Sequence, residues 1–152
     1  MPQLSIFTPC EKVIVDLNTK VPSLIGIFQA MKVPVSDAPI PARAVAPVKW
    51  AVFALWNHSS KEKNIEYTQH LQIFDAAGEL FSETVQKFMI TEPDDHQSKN
   101  TVEVFGLPVS HEGAIRLRVW LEGAENSASE CHFEVKHIRS TPIEIPTGAP
   151  VN

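Results

Sequence analysis

Proline placement constrains this chain more than any other feature. Twelve prolines stand at positions 2, 9, 22, 34, 39, 41, 47, 93, 108, 142, 146 and 150. Between them lie eight proline-free segments that favour strands: 12–17, 24–33, 48–56, 67–75, 80–90, 101–107, 114–121 and 129–138. Proline has no N–H to give a sheet ladder, so it collects where ladders stop. Short strands separated by turn chemistry predict an all-β chain, a single antiparallel β-sandwich of about eight strands, immunoglobulin-like in broad topology. At most one helical turn is expected, near Asp37 or in the polar stretch after Ile90.

Alternation orients the strands. Ile115, Leu117, Val119 and Leu121 face one way, while Arg116, Arg118 and Trp120 face the other. Cys131, Phe133 and Val135 oppose His132, Glu134 and Lys136, giving each strand one dry and one wet face. Segment 48–56 differs, because Trp50, Val52, Ala54 and Trp56 alternate with Ala51, Phe53 and Leu55. A strand apolar on both faces is central, or something covers its second face. The Gly-containing runs 75–79 and 123–127 read as hairpin turns. Residues 35–47 read as a proline-rich connector, 91–100 as a polar crossover loop, and 1–138 as the sandwich, with 139–152 a tail.

With 152 residues the chain has the length of one domain and can bury a core without metal or disulfide. A net charge of -5 and the lack of an aromatic RNA-binding pattern argue against nucleic acid. No apolar run reaches the length of a membrane span, and no export signal opens the chain, so a cytoplasmic location is expected. There the two cysteines, Cys10 and Cys131, are expected to be reduced.

The runs CEKVIVDLNTKVPSLIGIF from Cys10, ALW from Ala54 and GAIRLRVWLEG from Gly113 resemble a group of small uncharacterised bacterial proteins. In that group an immunoglobulin-like sandwich opens with an extended strand and an L-x-G-I-F stretch. The resemblance covers about 10–138 and implies the fold alone, since the group has no assigned activity.

Candidate chemistry is sparse. There is no G-x-S-x-G elbow, no Gly-rich phosphate loop and no compact metal-ligand spacing, so an enzyme is not expected and no cofactor is implied. Loop residues His58, His96 and His111, with Asp94 and Asp95, offer a weaker alternative, a metal-dependent enzyme; solvated loop histidines explain them better. Glu92, Asp94 and Asp95 lack the pattern of a dedicated calcium loop. The outward face of the last two strands is more informative. Pairing them about Asn126 sets Trp120 opposite His132, Arg118 opposite Glu134 and Arg116 opposite Lys136, a modestly basic patch beside an exposed indole. Arg and Trp are the residues most often found at binding hot spots. The expected role is a non-catalytic protein-binding or assembly module, with an unknown protein partner or a second copy, and the doubly apolar strand 48–56 or the proline-rich stretch before it is expected to supply the interface. Trp56, Arg116, Arg118, Trp120 and His132 are its candidate binding residues. A small-ligand or carbohydrate-binding sandwich, with sugar stacked on Trp56 or Trp120, is the alternative.

Overall fold

The computed structural model describes residues 1–62, 64–91 and 96–139. Among the described residues nine strands run in chain order: β1 Gln3–Val15, β2 Pro22–Ile27, β3 Ala30–Val35, β4 Val45–Asn57, β5 Glu66–Phe74, β6 Leu80–Met89, β7 Gln97–Pro108, β8 Gly113–Leu121 and β9 Ser129–Arg139. Sheet A has the order β2-β1-β4-β7 and sheet B the order β3-β9-β8-β5-β6. Each sheet thus holds strands distant in sequence beside one another. The pairing of β4 with β7 in one sheet and of β5, β8 and β9 in the other is the Greek-key arrangement of an immunoglobulin-like sandwich. The all-β expectation holds.

The core follows the alternation. Trp50, Val52, Ala54 and Trp56 from sheet A meet Leu71, Ile73, Ile115, Leu117, Val119, Phe133 and Val135 from sheet B, all buried. The Trp50 ring packs edge-on against Phe133, with centroids 5.2 Å apart, and its indole N–H donates to the Gly106 carbonyl at 3.0 Å. One polar bridge crosses the layers. Gln69 Oε1 on β5 accepts both the Trp56 indole N–H at 2.6 Å and the Asn100 amide at 3.0 Å. A buried amide oxygen with two donors is a satisfied group, and it ties sheet B to β4 and β7.

The expected segment 24–33 is two strands in two sheets. After β2 the chain dives between the layers at Phe28, whose ring lies 4.9 Å from Phe133 and 6.1 Å from Trp50. It emerges as β3, paired parallel with β9 from Ala30↔Glu134 to Val35↔Arg139, so sheet B is mixed rather than purely antiparallel. The prolines also correct the strand limits. Pro9, Pro34 and Pro47 lie inside β1, β3 and β4. Each stands where a ladder is incomplete: β2 pairs with β1 only from Cys10 onward, β3 is an edge strand, and the β4–β7 register slips between Ala46 and Lys49. Among the described residues helical turns occur at Ser60–Glu62 and Glu125–Ser127 rather than near Asp37, and the expected place after Ile90 falls largely on 92–95, outside the described residues. Residues 140–152, most of the expected tail, lie outside the described residues.

The second apolar face of β4 is covered by the chain itself, with Ala51, Phe53 and Leu55 all buried, so this strand does not offer the partner surface expected of it. Their β1 partners are Cys10, Thr8 and Ile6. Beyond Cys10, β1 leaves β4 and pairs with β2, and the tip of this hairpin returns across the sheet, where Lys99 Nζ on β7 donates to the Lys20 carbonyl at 3.0 Å. Lys99 pairs with Leu55, so the hairpin reaches it only by folding back over the outer side of β4 and β7. Gly26, at φ +64 with the Glu11 side chain against its α-carbon, sits at the bend, where a Cβ would collide.

Candidate functional site

The outer face of sheet B carries the densest set of recognition-type side chains. On β8 the even positions point outward because the odd ones, Ile115, Leu117 and Val119, fill the core. On β5 the same phase turns His70, Gln72 and Phe74 outward, beside Trp120, Arg118 and Arg116 in register. Three stacks result. The Arg116 guanidinium lies 4.5 Å from the Phe74 ring centroid, and that of Arg118 lies 5.1 Å from the Trp120 ring. His70 lies flat against Trp120, with centroids 5.1 Å apart and planes within 7°.

Pairing to β9 completes the face. The register is Arg116↔His132 and Arg118↔Glu130, four residues from the expected Arg118–Glu134 pairing. The 122–128 connection, with its helical turn at Glu125–Ser127, moves the symmetry centre toward the start of the loop. An even slip leaves every side chain on its expected side but changes its partners. Arg116 therefore meets no lysine. Instead Glu130 stands 3.9 Å from Arg116 Nη1 and 4.0 Å from Arg118 Nε, one carboxylate shared by two cations. Arg118 Nη2 also donates to the Glu125 carbonyl at 3.2 Å. His132 is exposed beside Arg116.

Two candidate residues are placed differently from expectation. Trp56 faces the core, 5% exposed, with its N–H bonded to Gln69. Trp120 points outward as expected but is only 7% exposed, because His70 and Arg118 lie over it. Arg116, Arg118 and His132 remain on the surface. His70 and Phe74 join them and were missed, since both belong to a strand whose phase reads less cleanly; the run His70, Gln72, Phe74 was the available signal.

The loop histidines divide between the two ends of the sandwich. The backbone N–H of His58 donates to the His96 carbonyl at 3.0 Å and the His58 ring is buried rather than solvated, whereas His111 lies beyond the far end of β7. Glu92, Asp94 and Asp95 fall outside the described residues. Among the described residues no three His, Cys, Asp or Glu side chains converge as metal ligands. Both cysteines are free thiols. Burial pushes Cys131 up to about 12 and raises Cys10 as well, so neither forms a thiolate readily. No helix among the described residues is long and apolar enough to cross a membrane.

These features define a β-sandwich module. No protein-family model and no curated protein sequence matches the chain. Among solved structures it is similar to the CARDB domain of a Pyrococcus furiosus protein crystallised in complex with di-metal ions. The identity is 12%, the match covers 90% of this chain and 89% of that one, and the TM-score is 0.45.

Proposed function

We propose that the chain is a non-catalytic protein-binding module that engages its partner through the outer face of sheet B. The arginine–aromatic ladder of Arg116, Phe74, Arg118 and Trp120 carries the reading. Arginine and aromatic residues are enriched where protein interfaces concentrate their energy. Here both guanidinium groups already lie over rings and share Glu130, so less side-chain freedom is lost when a partner lands on them. A soluble bacterial protein working in the cytoplasm fits the charge and the resemblance in the opening strands. Site-specific photo-crosslinking in the native host tests this reading, with the probe at Gln72 in the middle of the face and a control at Lys49 on sheet A. Discrete protein adducts from position 72, abolished by R116E with R118E, are the expected result. Equal adducts from both positions, or none from position 72, would reject it.

A further inference from the structure

A different place in the fold has the makings of a small-molecule site. Where β4 begins, β7 ends and the β5–β6 hairpin turns, there is a cleft of about 300 Å³. That is at the lower end of the ~300–1,000 Å³ range of ligand pockets. Leu80, Phe81, Val45 and Pro108 give it an apolar wall, while Arg43 and Glu79 bring opposite charges to its lining. Both rims are built rather than loose. Asp75 Oδ1 accepts the N–H groups of Ala77 at 3.0 Å and Glu79 at 2.8 Å, locking the hairpin turn. Across the cleft, Ala44 N–H donates to the Pro41 carbonyl at 3.2 Å, and Val109 N–H donates to the Ala44 carbonyl at 2.9 Å.

Arg43 is the unusual member. Its backbone sits at φ +64, a left-handed conformation that glycine adopts freely and arginine does not. The Pro41–Ala44 turn requires this conformation at its third residue, and so fixes the point from which the Arg43 side chain leaves the backbone. Among the described residues Arg43 forms no ion pair, although Asp75 and Glu79 line the same cleft. A cation and carboxylates that stay apart across an apolar wall match a ligand carrying both charges.

We propose that this cleft binds a free α-amino acid with an apolar side chain. The ligand carboxylate meets Arg43, its ammonium group faces Glu79, and its side chain lies against Leu80 and Phe81. This goes beyond the protein-binding face and stands independently of it. The test is titration with L-leucine, isocaproate (no amine) and isoamylamine (no carboxylate), followed by backbone amide NMR. L-leucine is expected to give saturable shifts confined to residues 43–45 and 78–81. Removing a charge-assisted hydrogen bond at either end of the ligand weakens binding about tenfold or more. Both half-molecules, and the R43Q and E79Q variants with L-leucine, should show that weakening. Backbone spectra that otherwise superpose on the native one show that the variants are folded. L-leucine shifts that are absent at about 10 mM, that lie elsewhere, or that persist unchanged in R43Q would overturn the assignment.

Discussion

Replacing Phe53 with alanine tests whether the β1–β2 hairpin covers the outer side of sheet A. Phe53 and Phe105 project from the same side of the sheet, since Phe53 pairs with Thr101 and Phe105 lies two alternations further along β7. Phe53 is 1% exposed and Phe105 is 73% exposed. A surface aromatic costs within about 0.5 kcal/mol when truncated, whereas a buried Phe→Ala change costs about 3–5 kcal/mol. The cover over Phe53 is a two-stranded hairpin able to settle partway into the space left behind. Phe53→Ala should therefore cost about 3 kcal/mol, at the lower end of that range, and Phe105→Ala about 0.5 kcal/mol or less. Urea unfolding with fitted midpoints and slopes measures both. Equal and small losses for the two variants would mean that the hairpin does not lie on Phe53.

Gln69→Leu leaves the Trp56 and Asn100 donors buried without an acceptor and should cost about 3 kcal/mol by the same unfolding assay. Asp16 Oδ1 accepts the N–H groups of Asn18 at 2.9 Å and Thr19 at 2.6 Å and the Thr19 hydroxyl at 2.9 Å, holding the tip of the hairpin. The Thr19 and Asn18 bonds set its carboxyl below the ordinary aspartate value. A depressed folded-state value means that this support is present above the unfolded-state pKa and is lost as pH falls through the folded one. Hydrogen-exchange protection factors at 16–21, taken relative to the intrinsic rate at each pH, should fall across that acidic window, and Asp16→Asn should remove that fall. Cys131, pushed up to about 12 by burial, should react with iodoacetamide at neutral pH far more slowly than a free thiol, and faster only on unfolding.

The period-two pattern makes the core legible from the residues alone. Ile115, Leu117, Val119, Phe133 and Val135 all lie where alternation sets them. The double apolarity of Val48–Trp56 likewise signals a covered central strand. What covers it is another matter, because Lys99 reaching Lys20 is a contact between distant segments that no local pattern encodes. The parallel β3–β9 pair escapes for the same reason: the change of sheet happens at Phe28, inside a continuous apolar run. Proline reads well as a marker of unfinished ladders and poorly as a marker of strand ends, as Pro9 and Pro47 demonstrate. On the candidate face, alternation orients Arg116, Arg118 and His132 correctly. The shielding of Trp120 by His70 depends instead on pairing between β5 and β8, strands far apart in sequence. Arg43 carries no local signal of a site, because its cleft exists only once three distant segments meet.

Arginine footprinting bears most directly on the sheet B interface. The Arg116 side chain is 47% exposed in the isolated chain and open to phenylglyoxal. Mass spectrometry of the protein modified within native-host extract, against the purified protein at the same concentration, measures how far Arg116 is protected. The account predicts strong protection of Arg116 in the extract, with the exposed Arg139 modified alike in both. Equal modification of Arg116 in the two samples would contradict it.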